Sequence, residues 1–266
     1  MKLSIGFVGF GNIASAILNG MLTSKNFSAD EVGVFDINDA KPNEYRNKYG
    51  IRVFTSAEEL VENCNAVLFA VKPNDLPSIL KKLNPVICEQ KPLIISVAAG
   101  KEIKSIEENF TDNQRIVRVM PNINARVSQA ISGICGNSAA TEEDICFVEK
   151  VFNAAGKTVR ISEDLFSIFC ASAGSAPAFV YMYVDAIARA AVKNGAYKIP
   201  ALEMSSGLMT KYACELFENE EELQKNIEEY LKDNTVNSEL KNVGFYKAIN
   251  EAITQTKNKD IKMKLK

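Results

Sequence analysis

The chain has 266 residues, 47% of them hydrophobic and 24% charged, which suits a soluble globular protein long enough for two domains. A formal net charge of −2 argues against nucleic acid as the main partner, and no apolar run reaches the roughly 18–20 residues of a membrane span. With no histidine, Ser-His-Asp and Cys-His catalysis, His-ligated zinc and a His general acid are excluded, leaving Lys, Tyr, carboxylates, hydroxyls, backbone groups or a cofactor.

Residues 3–9 (LSIGFVG) form a short apolar run that predicts a buried strand. Residues 12–24 then place Ile13, Ala16, Ile17, Gly20 and Met21 at helical spacing. Further strands are expected at 32–36 (VGVFD), 51–54 (IRVF), 66–71 (AVLFAV), 92–98 (PLIISVA) and 115–121 (RIVRVMP). Helices are expected at 57–63 (AEELVEN) and after KPND (72–75). AISGICG and KTVRI read as two more strands bracketing the helix of TEEDICFVEKVFNAAG. Alternating strands and helices imply an α/β fold with a parallel sheet covered on both faces, binding ligands at its strand ends. Beyond residue 162 the pattern is helical, so the boundary is placed there: residues 1–161 as a dinucleotide-binding domain, residues 162–266 as an all-α domain.

The first strand-to-helix turn carries G-F-G-N-I-A, with Gly9, Gly11 and Ala14 at the three small positions of a dinucleotide fingerprint. The first permits a tight turn, the second lets a pyrophosphate approach the backbone, and the third lets helix and strand pack closely. Val8, Phe10, Asn12 and Ile13 complete this cradle, with backbone N–H groups at the positive end of the helix dipole. Asp36, at the end of the second strand, is placed to accept hydrogen bonds from ribose hydroxyls. The following loop offers only Lys41 as a nearby cation, whereas a 2′-phosphate calls for Arg, so NADH is favoured over NADPH.

IGFVGFGNIASAILNG, AVKP (70–73), ISVAAG (95–100), RVMPN (118–122) and YLKDN (230–234) together resemble the landmarks of the pyrroline-5-carboxylate reductase family. They run in the family's order over nearly the whole chain, and Ala173 to Phe179 stand where the family carries a Ser-Gly-Ser-Gly-Pro-Ala-Tyr phrase. The resemblance implies reduction of the ring C=N bond of pyrroline-5-carboxylate with NAD(P)H to give proline. It implies an N-terminal Rossmann domain followed by a helical dimerisation domain, with the substrate at the dimer interface near the nicotinamide. Ala70, Val71, Lys72 and Pro73, then Val97, Ala98, Ala99 and Asn234, would join the cofactor set. Asn122, Gly174, Ser175, Ala176, Thr235 and Ser238 would face the substrate. No side chain is assigned as catalytic, since hydride comes from the cofactor; Lys72 and Ser175 are candidates for positioning the substrate. No metal is expected.

The chain departs from the family pattern in places. Ile123 and Asn124 replace a Thr-Pro after Met-Pro-Asn, Ala176 replaces a glycine and Phe179 a tyrosine. Residues 231–245 read LKDNTVNSELKNVGF, without the Ser-Pro-Gly-Gly-Thr-Thr phrase that grips the substrate carboxylate. That leaves two alternatives beside the reductase: a related NAD(P)-dependent imine or carbonyl reductase, or a cofactor-binding homologue without activity. Thr235, Asn237 and Ser238 could equally be an N-cap and turn cluster.

The six scattered cysteines lack a C-x-x-C pair, and glycines with Asn12 interrupt the N-terminal apolar run too early for a signal peptide. A cytoplasmic enzyme is expected, with no membrane partner. Broad apolar faces around FVYMYVDAIARAAV and ALEMSSGLMTKYACELF point to a homodimer or a larger assembly of dimers. The basic end KNKDIKMKLK reads as a solvated tail.

Overall fold

The computed structural model describes residues 3–111, 113–174 and scattered positions between 180 and 197. By its contacts the chain divides into two compact units, residues 1–175 with 254–266, and residues 176–253. The first unit contains the whole sheet.

Eight strands are hydrogen-bonded in one sheet: β1 (Leu3–Val8), β2 (Val32–Phe35), β3 (Arg52–Val53), β4 (Cys64–Phe69), β5 (Leu93–Ser96), β6 (Ile116–Met120), β7 (Ala130–Gly136) and β8 (Gly156–Arg160). Their spatial order is β3-β2-β1-β4-β5-β6-β7-β8. The chain leaves β1 for β2 on one side and returns through β3 to β4 on the other. The crevice between the ends of β1 and β4 is therefore the switch point of a Rossmann-type sheet. Strands β1 to β6 pair in parallel, as expected, but β7 runs antiparallel to β6. The short connection between them holds only a 3₁₀ turn (Ile123–Val127), and a parallel return needs a crossover of a dozen residues or more.

Helices α1 (Asn12–Thr23), α2 (Ala40–Tyr49), α3 (Ala57–Asn63), α4 (Leu76–Gln90), α5 (Ile103–Glu107) and α6 (Glu142–Asn153) cover the two faces. Period-two alternation divides the apolar side chains between two cores. Ile5, Phe7 and Leu68 pack with Ile17, Leu18 and Met21 of α1 and Phe152 of α6. Val8, Val67 and Phe69 pack with Leu60 of α3 and Leu76, Leu80 and Leu83 of α4.

The sequence pattern gives no sign of α2, whose AKPNEYRNKY buries only Pro42. Tertiary contacts hold it instead. Tyr45 sits edge-on to Phe10 at 4.9 Å between ring centroids, and Asn19 Nδ2 donates to Tyr45 Oη at 2.9 Å. Gly50, left-handed at φ 78°, closes the helix by donating its N–H to Arg46.

Helices α1 and α6 meet at Gly20, where a Cβ would lie 2.4 Å from the Ala154 carbonyl oxygen. Backbone cannot rotate away as a flexible side chain can. Gly20→Ala is therefore expected to destabilise the unit by about 1–3 kcal/mol, read as a lower midpoint in urea denaturation.

Candidate functional site

The ends of three strands converge on the turn after β1. Gly9 N–H donates to Phe35 O at 2.8 Å and Ala70 N–H to Val8 O at 2.9 Å. Gly9 has φ 88°, and a Cβ there would lie 2.8 Å from Ala70 O and 2.9 Å from Val71 Cγ1, so conformation and space both require glycine. Gly11 is different: it has an ordinary φ of −73°, is exposed, and among the described residues no atom lies within 4 Å of where its Cβ would be. None of the described residues requires glycine at this position. What its small size preserves is open space in front of the first turn of α1.

That turn is prepared for an anion. No side chain caps α1 and no acidic residue lies in its first turn, so the amides of Asn12, Ile13 and Ala14 carry the helix's positive end uncompensated. Phe10 turns its ring into the core and gives its N–H to Asp36 Oδ2, while Asp36 Oδ1 accepts from Asn38 N–H at 2.8 Å. The carboxylate is thereby fixed just beyond β2. Lys41 does not face the same way: Nζ donates to Ser15 Oγ at 2.7 Å and to Gly11 O at 3.4 Å, on the flank of α1.

A cleft of about 590 Å³ opens at these strand ends. It is lined by Val8, Gly9, Gly11, Asp36, Ala70, Val71 and Lys72 of the expected set. Pro73 is half-buried beside Lys72, and Lys72 O accepts from Asp75 N–H at 2.9 Å to lead into α4. Val97, Ala98 and Ala99 follow β5, where Val97 N–H donates to Phe69 O at 3.3 Å; they are not among the residues lining the cleft. Ala14 is wholly buried, which matches a close helix–strand contact.

Sequence reading missed another part of the wall: Ile37, Thr55, Ser56, Glu58, Asp75 and Lys82. The loop after the third strand was legible as a strand end, but nothing in the sequence brought Lys82 across from α4. There Lys82 Nζ pairs with Glu58 Oε1 at 2.9 Å and holds the Glu58 carboxyl below the usual carboxylate range.

Of the expected substrate-facing residues, Asn122 and Gly174 are described. Asn122 is buried, and its side chain is spent on backbone: Nδ2 donates to Ala173 O at 3.1 Å and Oδ1 accepts from Ile131 N–H at 3.3 Å. This differs from the substrate contact expected of it. Gly174 closes a π-helical turn (Cys170–Gly174), and a Cβ there would lie 3.7 Å from Met120 Cε. Ser175, Ala176, Asn234, Thr235 and Ser238 lie outside the described residues.

A second hollow of about 450 Å³ opens at the opposite, N-terminal ends of the central strands, beside Ser4, Cys64, Pro92 and Arg115. Its main charges are already paired, Arg115 Nη1 to Asp144 Oδ1 at 2.7 Å, and it faces no helix N-terminus prepared for an anion. Among the described residues no cluster of His, Cys, Asp or Glu is arranged to hold a metal ion, and no helix is long and apolar enough to cross a membrane.

Comparison with known proteins agrees with this geometry. Residues 4–100 match the family model described as NADP oxidoreductase, coenzyme F420-dependent, and residues 163–263 match pyrroline-5-carboxylate reductase dimerisation. A pyrroline-5-carboxylate reductase of Methanosarcina acetivorans is 35% identical over 202 residues, 76% of this chain and 74% of the relative. The chain belongs to the pyrroline-5-carboxylate reductase family.

A solved 1-pyrroline-5-carboxylate reductase from Streptococcus pyogenes superposes with a TM-score of 0.86 at 27% identity, covering 98% of this chain and 99% of that one. A Plasmodium falciparum pyrroline carboxylate reductase, solved with NADP bound, shares the fold at a TM-score of 0.85 and 24% identity, with 98% of each chain covered. The open cradle at Gly11 and the uncapped first turn of α1 fit the dinucleotide that members of this reductase family use.

Two consequences can be measured. Gly11→Asp meets no protein atom, and aspartate is a good N-cap, so stability should stay within about 0.5 kcal/mol while NAD(P)H affinity falls at least roughly tenfold in fluorescence titration. Because Lys82 lowers the Glu58 pKa, the Glu58 contribution to stability is present above the usual carboxylate range and is lost as pH falls through the lowered value. Lys82→Ala should move the Glu58 titration upward, followed by NMR of the side-chain carboxyl.

Proposed function

We propose that this protein reduces the ring imine of 1-pyrroline-5-carboxylate to L-proline with NAD(P)H, taking NADH in preference to NADPH. The observation that carries the reading is the open, uncapped cradle at Gly9–Ala14 facing Asp36, in a chain 35% identical to a pyrroline-5-carboxylate reductase. On this reading the amides of Gly11, Asn12 and Ile13 hold the pyrophosphate, and Asp36 accepts hydrogen bonds from the ribose hydroxyls. Ala70 to Pro73 flank the nicotinamide end, with Val97, Ala98, Ala99 and Asn234 completing the cofactor set.

A bound reduced nicotinamide supplies the hydride. The protonated ring nitrogen takes up the C=N electron pair as the ring carbon gains that hydride. The side chains therefore need to supply position and charge rather than a strong acid, which a chain with no histidine can do. Lys72, at the mouth of the cleft, attracts the substrate carboxylate. Gly174, Ser175 and Ala176 offer main-chain donors and room for a flat ring, and Thr235 and Ser238 stand in for the family's carboxylate-gripping phrase.

NADH preference follows from charge. A 2′-phosphate would face the Asp36 carboxylate, while Lys41 is engaged with Ser15 and Gly11. The dimerisation match over residues 163–263 supports a homodimer, and the described cysteines, which form no disulfide, are compatible with the cytoplasm.

A second reading, NAD(P)-dependent reduction of a different imine or a carbonyl, is favoured by one observation: residues 231–245 lack the Ser-Pro-Gly-Gly-Thr-Thr phrase. The deciding assay follows NADH oxidation and proline formation with pyrroline-5-carboxylate beside a panel of other imines and carbonyls. Proline at rates above those of the panel is the expected outcome; cofactor binding without proline would sink the proposal. Asp36→Ser should shift the NADH-to-NADPH ratio of kcat/KM toward NADPH by on the order of tenfold. Light scattering should return an even multiple of the 29.3 kDa chain mass, that of a dimer or of an assembly of dimers.

A further inference from the structure

Strand β6 and the residue pair after it present Arg118, Met120 and Asn122 at alternate positions, hence on one face. Each of the three reaches the same segment, residues 163–174. Arg118, almost fully buried, pairs through Nη1 with Glu163 Oε1 at 3.0 Å and lies 4.4 Å from the centroid of the Phe166 ring. Glu163 Oε1 also accepts Ile103 N–H at 2.7 Å, which ties the start of the segment to α5. Met120 lies against Gly174, and Asn122 donates to Ala173 O at 3.1 Å. All of these residues belong to the first compact unit.

The Asn122 contact is the most demanding of the three. In the antiparallel ladder Met120 opposes Gly133, so continuing the register would place residue 122 opposite Ile131. The backbone does not continue: Asn122 O instead accepts Ala125 N–H at 3.2 Å and starts the 3₁₀ turn. The side-chain carbonyl replaces the missing rung by accepting Ile131 N–H, and the same amide group's nitrogen then reaches Ala173 O. One buried amide thus joins the sheet to the π-helical turn, a type of irregularity that is frequent at functional sites. An acceptor on one side and a donor on the other are both needed, and Asn meets that requirement at this length.

We propose that Asn122 is a positioning residue. Through its bond to the Ala173 carbonyl it fixes the Cys170–Gly174 turn and so sets where Gly174, an expected substrate-facing residue, stands. The assignment to substrate positioning rests on the functional reading above; the latch itself rests on the hydrogen bonds alone.

Asn122→Asp separates the two roles, because the carboxylate keeps the acceptor for Ile131 N–H and loses the donor to Ala173 O. Asn122→Ala removes both without burying a charge and serves if the aspartate variant does not fold. Hydrogen exchange in a peptide covering residues 170–174 should accelerate by on the order of tenfold or more in either variant. In Asn122→Asp, the Ile131 amide should stay protected. The KM for pyrroline-5-carboxylate should rise at least roughly tenfold while the Kd for NADH moves less than about twofold. Exchange at 170–174 within about twofold of wild type would overturn the latch, and an unchanged KM would overturn its role in positioning. A wild-type protein silent toward pyrroline-5-carboxylate would remove the functional reading and the positioning role with it, while the exchange rates would still decide the latch.

Discussion

The N-terminal half depends on a single tight knot, the turn that carries the chain from β1 into α1. Three strand ends are fastened there, two by backbone bonds from Gly9 to Phe35 and from Ala70 to Val8, and one by the Asp36 carboxylate accepting Phe10 N–H. A side chain at Gly9 would strike Ala70 and Val71, and would have to occupy a left-handed conformation as well. The same knot leaves the first turn of α1 without a side-chain cap at the middle of the sheet, where the strand order reverses. A helix end open to an anion is thus a by-product of how the sheet is wound, and among the described residues Gly11 leaves the approach to it clear.

Asp36 has a double duty in this arrangement. One carboxylate oxygen accepts from the glycine-rich turn and the other from Asn38 N–H, so the group is oriented before any ligand arrives. A preoriented acceptor loses little freedom on binding a ribose. Lys41 turns its ammonium to Ser15 Oγ and the ring of Phe10. Across the cleft, Glu58 and Lys82 pair with each other. The wall is largely apolar, with Glu58 and Lys82 satisfying each other and the helix end, Asp36, Lys72 and Asp75 as its other charged features.

The far end of the described structure follows another rule. Segment 163–174 leaves the sheet after β8, yet β6 holds it through Arg118, Met120 and Asn122. A buried guanidinium needs both its partner Glu163 and the flat face of Phe166 to offset its loss of water. The Cys135 thiol nearby is pushed up by burial and by the Glu163 charge.

Much was legible in the sequence because it is local. Short apolar runs marked the strands, and the helical spacing of Ile13, Ala16, Ile17, Gly20 and Met21 marked α1. G-F-G-N-I-A fixed the cradle through conformational limits that belong to the residues themselves. The motifs from AVKP to RVMPN were enough to indicate the family. Helix α2 was not legible, since its polar residues form a helix only because Tyr45 docks on Phe10 and Gly50 closes its end. The reversed β7, the Glu58–Lys82 wall and the two-sided bond of Asn122 also required the fold. Each depends on groups far apart along the chain whose meeting is set by strand order and register. The sequence by itself determined which elements form and what the first turn can hold; the tertiary structure alone decided which side chains share the cleft and which are consumed in building it.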